Sequence, residues 1–270
     1  MSKIQLHNGV TFHYKLLNGR GEACPVVFVS GYTGSMAEWD AYAQALATNG
    51  HPVLTFDNQG SGQTIDNGEP LTVEAMAFNI HALLSELGMA KSIIITFAWG
   101  GCIAQQLAYS YPGCVARLGL ISPVMRFSDK AISICELLAL CREKEQWHEY
   151  AMKIYETCYS YAWKKENPQD EFIESLIDFL PAAQTEVGQR RQVEALKAFD
   201  SRGWAHEITV PIHILSPAED QLILTEESGA LVQDKPSSHF LIMNETGHDV
   251  FTEAPGSVLR FILDVTRKEG

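Results

Sequence analysis

The chain has 270 residues, of which 46% are hydrophobic and 20% are charged, and its formal net charge is -13. This length and composition fit one large globular domain, or a domain with an inserted cap, with enough apolar residues for a sizeable core. The acidic balance argues against nucleic acid or an anionic membrane as the main partner, because both carry negative charge themselves.

The N-terminus and the cysteines indicate the compartment. No apolar run follows Lys3, so no signal peptide is predicted, and no apolar stretch approaches the roughly 20 residues that span a bilayer. None of the six cysteines forms a C-x-x-C pair or a cluster with zinc spacing. We therefore expect buried free thiols, a cytoplasmic location, and neither a metal nor a cofactor. The oligomeric state is not indicated.

The N-terminal half alternates between apolar strands and amphipathic helices. Asn8-Gly9 lies between two alternating apolar runs, which is typical of a β-hairpin. Because strand–helix alternation produces parallel pairing through right-handed crossovers, a parallel sheet is expected here. Strands are predicted at 3–7, 10–17, 26–30, 53–56, 93–97 and 115–122, and helices at 39–47 and 71–87.

The segment from Asp57 to Gly62 reads D-N-Q-G-S-G and follows a buried strand. Its two glycines permit the positive φ angles of a tight reversal. The segment lacks the lysine of a P-loop, and no helix follows directly, so we interpret it as a turn rather than a phosphate site.

The pattern changes after Pro123: residues 127–199 have helical periodicity and no convincing strand. One face is predicted to hold Trp147, Ala151, Ile154, Cys158 and Tyr161, and Asn167-Pro168 is predicted to start a helix with asparagine as N-cap. The aromatic residues of this block favour a packed core, and some could instead roof an apolar substrate pocket. The aromatic residues are Trp147, Tyr150, Tyr155, Tyr159, Tyr161, Trp163, Phe172 and Phe179.

Strand–helix alternation then resumes, with strands predicted at 210–215 and 239–243 and helices at 225–232 and 255–266. We therefore expect an α/β core made of residues 1–123 and 206–270, interrupted by a helical cap over 124–205.

The stretch from Lys91 to Tyr111 has the strand, abrupt turn and helix of a nucleophile elbow, whose motif is G-x-S-x-G. Thr96, Ala98 and Gly100 occupy the three fixed positions. The last glycine fits, but alanine stands where the serine is expected. A methyl group cannot attack a carbonyl carbon.

Polar turns follow two later strands. Asp220 lies in the turn 216–221, and Gly247-His248 lies in the turn 244–249. Open α/β sheets place their sites at the carboxyl ends of parallel strands, so we expect these turns and the elbow to meet at one edge of the sheet.

Taken together, these motifs resemble those of the α/β-hydrolase superfamily, and the resemblance covers nearly the whole chain. It rests on Ser30-Gly31-Tyr32, Asp57-x-x-Gly60-x-Gly62, the elbow with Gly100-Gly101, Asp220, and Gly247-His248. The resemblance implies a mostly parallel eight-stranded sheet flanked by helices, with an inserted helical cap. It also implies a hydrolase or acyltransferase that acts on an ester or thioester. The aromatic content of the block 127–199, inserted over the catalytic edge, predicts that the acyl group is largely apolar.

The same resemblance implies roles for individual residues. Position 98 holds the nucleophile, His248 is the general base, and Asp220 orients the histidine. The backbone N–H groups of Tyr32 and Trp99 form an oxyanion hole. Glu219 and Asp249 are neighbouring alternatives to Asp220, and the other eight histidines are expected to be hydrogen-bonded surface residues. Cys102 is expected to face the core, where a thiol has a raised pKa and is a poor substitute nucleophile.

The chain departs from the family pattern at Ser30, where histidine is frequent, at Pro217, where glycine is common, and at Ala98. The Trp-Gly-Gly that follows Ala98 is similar to acyltransferases that make or move 3-hydroxyalkanoyl groups. Two explanations of Ala98 stay open. The chain is either a serine enzyme whose nucleophile has been replaced, which the retained histidine, acid and glycines favour, or a naturally non-catalytic binding protein.

Overall fold

A twisted eight-stranded sheet forms the centre of the molecule in the computed structural model, which describes residues 1–89, 91–178, 180 and 184–267. The strands are β1 (Ser2–Gln5), β2 (Thr11–Leu17), β3 (Val26–Val29), β4 (Val53–Phe56), β5 (Ser92–Phe97), β6 (Val115–Ile121), β7 (Ile212–Pro217) and β8 (His239–Met243). Their order is β1-β2-β4-β3-β5-β6-β7-β8. Strand β2 is antiparallel to β1 and β4, and every other pair is parallel. The predicted fold class is confirmed.

Helices cover both faces of this sheet, which is why the central strands are apolar on both sides. Ile93 and Ile95 of β5 pack into one buried cluster, and Ile94 packs into the other. The helices of the core are α1 (Asp40–Thr48), α2 (Val73–Glu86), α3 (Trp99–Ser110), α9 (Thr225–Ala230), α10 (Val250–Glu253) and α11 (Pro255–Thr266), numbered in chain order with the cap helices below.

A helical block lies between β6 and β7. It consists of α4 (Asp129–Glu143), α5 (Trp147–Cys158), α6 (Tyr161–Glu166), α7 (Gln169–Ile177) and α8 (Glu186–Ala198). Among the described residues between these two strands there are helices and turns but no strand, as predicted. We call this block the cap. The division into a core of 1–123 and 206–270 and a cap of 124–205 stays a prediction, and Phe179 lies outside the described residues.

Two predictions about the cap are wrong. Tyr161 is 79% exposed instead of sharing the buried face of α5, because Ser160 caps a new helix there and interrupts the periodicity. The helix predicted to start at Asn167-Pro168 starts at Gln169, with Pro168 at the N-cap. The Asn167 amide instead donates to the carbonyl of Trp163, at the end of the preceding helix.

The turn after β4 anchors the cap. Gly60 and Gly62 both have positive φ, as predicted for a tight reversal. Gln184 Nε2 donates to the Gly60 carbonyl over 2.9 Å, and Gln192 Nε2 donates to the Gln59 carbonyl over 2.7 Å. The polar atoms of this turn therefore bind cap side chains, in keeping with its interpretation as a turn.

None of the helices in the described part of the chain combines the length and the hydrophobicity that a membrane crossing requires.

Candidate active site

Ala98 lies at a strained turn between β5 and α3. Its φ of 44° and ψ of -110° belong to a region that residues with a Cβ rarely adopt. The Ala98 N–H donates to the Ile121 carbonyl on the neighbouring strand over 2.8 Å, which ties the turn to the sheet. Gly100 is required for close approach, since a Cβ there would lie 2.4 Å from the Val29 carbonyl oxygen. The elbow geometry is therefore present although the serine is not.

Asp220 and His248 come together from the turns after β7 and β8. His248 Nδ1 lies 2.7 Å from Asp220 Oδ2, and the two side chains are 11% and 0% exposed. The other carboxylate oxygen of Asp220 accepts from the backbone N–H groups of Leu222 and Ile223, both at 2.9 Å. These bonds fix the carboxylate, and its position favours the tautomer in which Nδ1 carries the proton of a neutral imidazole and Nε2 is the acceptor.

The two acidic neighbours of this pair are engaged elsewhere. Glu219 Oε2 accepts from the backbone N–H of Tyr161, and Asp249 Oδ2 accepts from the Tyr159 phenol. Of the three acids that the sequence offered, Asp220 is the one that contacts His248.

Tyr32, in the loop 31–35 after β3, and Trp99, the first residue of α3, line the same cavity as Ala98. Neither backbone N–H has an acceptor among the described residues, and that of Trp99 is an unpaired donor of the first turn of α3. Ser30, which precedes this loop, accepts a hydrogen bond from the Trp39 indole over 2.9 Å. The two N–H groups predicted for an oxyanion hole thus belong to residues that line the cavity, and their role stays a prediction.

The cavity has a volume of about 380 Å³ and lies between the sheet edge and the cap. Ala98 and His248 line it from the core. Most of the cap residues that line it are apolar: Phe127, Ala131, Ile134, Cys135, Leu138, Ile154, Cys158, Leu176, Leu180 and Leu196, together with Tyr150 and Tyr159. Other aromatic residues of the cap, among them Trp163 and Phe172, pack against one another instead. Some aromatic residues of the block therefore line the cavity and others pack only in the core, while the cavity's role as a substrate pocket stays a prediction.

Sequence reasoning missed two charged residues of the cavity, Glu38 and Arg142. Glu38 precedes Trp39 beside the loop 31–35, and its Oε1 is shielded from solvent without a hydrogen-bond partner among the described residues. Burial, reinforced by the charges of Asp249 and Asp57, raises the pKa of this carboxyl to about 8. Arg142 lies in the charged run 142–145, whose sequence looks like a solvated helix end. No sequence signal distinguishes either residue from surface charge.

One prediction about the histidines is wrong. His13 is buried, and its Nδ1 lies 2.9 Å from Asp57 Oδ2. That carboxylate also accepts from the Met36 and Gln63 backbone N–H groups, so the pair organises the turn after β4. His51 is buried as well.

All six cysteines are free, and five of them are buried. Cys102 is fully buried, as expected, and burial raises the pKa of its thiol well above the ordinary value. Cys158 lines the cavity, and burial likewise raises the pKa of its thiol. In the described part of the chain no group of three or more His, Cys, Asp or Glu residues is placed to hold a metal ion.

Known proteins are similar to this chain in sequence and in fold. A profile of the α/β-hydrolase fold matches residues 25–140. A protein of Caulobacter vibrioides named "Putative carbamate hydrolase RutD" is 30% identical over 241 residues, which cover 87% of this chain and 88% of the relative. The protein of the same name from Agrobacterium fabrum is 25% identical over 249 residues, which cover 90% and 94%.

Two solved structures have the same fold. An α/β-hydrolase enzyme from a Medee basin deep-sea metagenome library superposes with a TM-score of 0.87, covering 100% of this chain and 98% of the other at 19% identity. The enol-lactonase of Burkholderia xenovorans LB400 superposes with a TM-score of 0.84, covering 98% and 99% at 18% identity.

Proposed function

This chain belongs to the α/β-hydrolase family, and we propose that it is a serine-type hydrolase or acyltransferase in an inactive form, with Ala98 in place of the nucleophile. In the proposal, His248 is the general base, Asp220 orients it, and the N–H groups of Tyr32 and Trp99 form the oxyanion hole. The observation that carries it is the intact pair of His248 and Asp220 beside a strained elbow that lacks only the hydroxyl.

The substrate proposed is an ester or thioester with a largely apolar acyl group. Its support is the cavity of about 380 Å³, which the cap lines mainly with aliphatic and aromatic side chains. Each methylene buried there would contribute about 0.8 kcal/mol to binding, so medium-chain acyl groups should bind better than acetyl. The carbamate hydrolysis named for the relatives is also carbonyl chemistry. The cavity favours no particular acyl acceptor.

As it stands, the chain should form no acyl-enzyme, because the serine–histidine mechanism needs a hydroxyl whose proton the imidazole accepts. A nitrophenyl ester should leave no covalent adduct at Ala98 when the protein is analysed by mass spectrometry. Acylation of Cys102 would contradict the proposal, but its thiol is buried and its pKa is raised.

The decisive experiment is Ala98→Ser. Ala98 and His248 line the same cavity. The oxygen added by serine should therefore come within roughly 2.6 to 3.2 Å of the imidazole when substrate is bound. Esterase turnover should rise by at least about a thousandfold. Adding His248→Ala should remove most of that gain, and circular dichroism should show that both variants are folded.

The second candidate function is that of a non-catalytic small-molecule binding protein, and Ala98 itself favours it, since the nucleophile is the residue that is missing. A folded Ala98→Ser variant that stays inert against esters and thioesters of every chain length would reject the enzyme proposal in favour of this one.

A further inference from the structure

Arg142 is a buried cation on α4 that lines the cavity. It is only 2% exposed. Its Nε donates to Gln189 Oε1, and its Nη1 donates to the Gln184 carbonyl over 2.9 Å. Its Nη2 is shielded from solvent and has no hydrogen-bond partner among the described residues. The N–H donors of Arg142 Nη2 are therefore unsatisfied within the described part of the chain.

The charge of Arg142 also has no counter-ion in the described part of the chain. The two acceptors that it uses are neutral amide oxygens, and no carboxylate forms an ion pair with it. The ring centroids of Trp147 and Tyr150 lie 5.2 and 5.4 Å from its guanidinium carbon. Cation–π attraction to these rings offsets part of the free-energy cost of removing the charge from water. Buried charges are ordinarily paired because an unpaired one is costly.

The other charges of the protein, both overall and within the cavity, are mainly acidic and do not neutralise Arg142. The chain has a formal net charge of -13, so the protein as a whole repels anions. Two carboxyl groups, those of Glu38 and Asp249, also line the cavity. Asp249 accepts hydrogen bonds from Tyr159 and Thr252, and Glu38 keeps its proton at neutral pH. Neither residue neutralises Arg142.

We propose that Arg142 binds a carboxylate at the non-reacting end of the substrate, while the carbonyl group lies at Ala98 and His248. A guanidinium with a free Nη2 is suited to this group because its N–H donors match carboxylate oxygens. The inference rests on the proposed function in taking this cavity as the substrate site. It narrows the substrate class to half-esters or half-thioesters of dicarboxylic acids, with an apolar chain between the two ends.

Calorimetric titration of the unaltered chain tests this without any turnover. The probes are monomethyl suberate, which has an ester at one end and a carboxylate at the other, and dimethyl suberate, which has the same chain and no charge. A charge-assisted hydrogen bond in a buried site should make the half-ester bind at least about tenfold more tightly. Equal affinities, or tighter binding of the diester, would overturn the proposal without any variant having to fold.

Three variants test whether Arg142 binds the carboxylate of the ligand or only holds α4 and α8 together. Arg142→Gln should reduce the preference for the half-ester to nearly none, while Arg142→Lys should keep part of it, because lysine retains the charge without the fork. Arg190→Gln is the matched control, since Arg190 lies on α8 with its side chain 63% exposed. A folded Arg142→Gln protein that keeps the full preference would show that the arginine is structural only.

The outcome is separable from that of the proposed function. If Ala98→Ser is inert but the unaltered chain still prefers the half-ester, the anion site stands and the enzyme proposal fails. If Ala98→Ser hydrolyses neutral esters and the unaltered chain shows no preference for the half-ester, the enzyme proposal stands and the anion site fails.

Discussion

The phenol of Tyr159 in the cap donates a 2.7 Å hydrogen bond to Oδ2 of Asp249, the residue that follows His248. A second bond runs the other way, from the Asp249 backbone N–H to the Cys158 carbonyl at the end of α5, over 2.8 Å. The loop that carries the histidine is thus attached directly to the cap. The position of His248 over the elbow depends on cap packing as well as on the sheet.

Gly247→Ala should disturb this attachment. A Cβ at Gly247 would lie 2.6 Å from the Ser160 backbone nitrogen and 2.7 Å from the Cys158 carbonyl oxygen, so the loop or the cap has to move. Overpacking of this kind costs about 1 to 3 kcal/mol of the free energy of unfolding, which urea titration of the unaltered chain and the variant will measure. In the Ala98→Ser background, esterase turnover should fall by at least about tenfold.

Gly256→Ala is the control for that change. No atom lies within 4 Å of a Cβ built at Gly256, and the residue is in the first turn of α11. The free energy of unfolding of the Gly256→Ala variant should differ from that of the unaltered chain by less than about 1 kcal/mol. Equal stability and equal turnover in the two variants would contradict the proposed coupling between the cap and the histidine loop.

Gly100→Ala and Gly101→Ala form a second matched pair, on adjacent residues of α3. At Gly100 a Cβ would lie 2.4 Å from the Val29 carbonyl oxygen, and backbone atoms cannot move aside as a flexible side chain does. We expect a loss of about 3 kcal/mol in the free energy of unfolding, or a protein that does not fold.

At Gly101 the nearest atom to a Cβ is that of Pro123 at 3.4 Å, so alanine there should be neutral or stabilise the helix by up to about 1 kcal/mol. Urea unfolding of both variants measures the difference. Similar losses at the two positions would show that general crowding, rather than the approach to β3, makes glycine necessary at the elbow.

Glu38 should make stability depend on pH. An unfolded chain releases this proton near the ordinary pKa of 4.5, whereas the folded protein keeps it up to about pH 8. The folded state binds more protons between these values, so its free energy of unfolding falls as the pH rises through that window. Any contribution from the buried neutral carboxyl is complete below pH 4.5 and lost above about pH 8.

Glu38→Gln removes this titration. Measured against the unaltered chain, the variant should gain at least about 1 kcal/mol of stability between about pH 5 and about pH 8.5. Glu22→Gln, on an exposed loop residue, is the control and should show no such change. A parallel pH dependence of the unaltered chain and Glu38→Gln would show that the carboxyl ionises normally in the folded protein.

The fold class, the succession of strands and helices along the chain, and the turns that hold Ala98, Asp220 and His248 could all be predicted from the sequence. These features depend on neighbours along the chain: a period of two or of 3.6 residues, a run of apolar side chains, and glycine where φ must be positive. Two helix boundaries in the cap were predicted wrongly. Ser160 starts a new helix where periodicity alone continued α5 through Tyr161.

Which acid contacts His248 could not be predicted from the sequence, because Glu219, Asp220 and Asp249 all lie in the same two turns, and the three-dimensional fold selects Asp220. It also decided that Arg142 and Glu38 line the cavity. A charge at a helix end has the same local sequence whether it faces water or a cavity. Its environment is set by α5, α8 and the loop 31–35, which are distant along the chain and adjacent only after folding. The cost of burying such a charge therefore arises from long-range packing, which no sequence window contains.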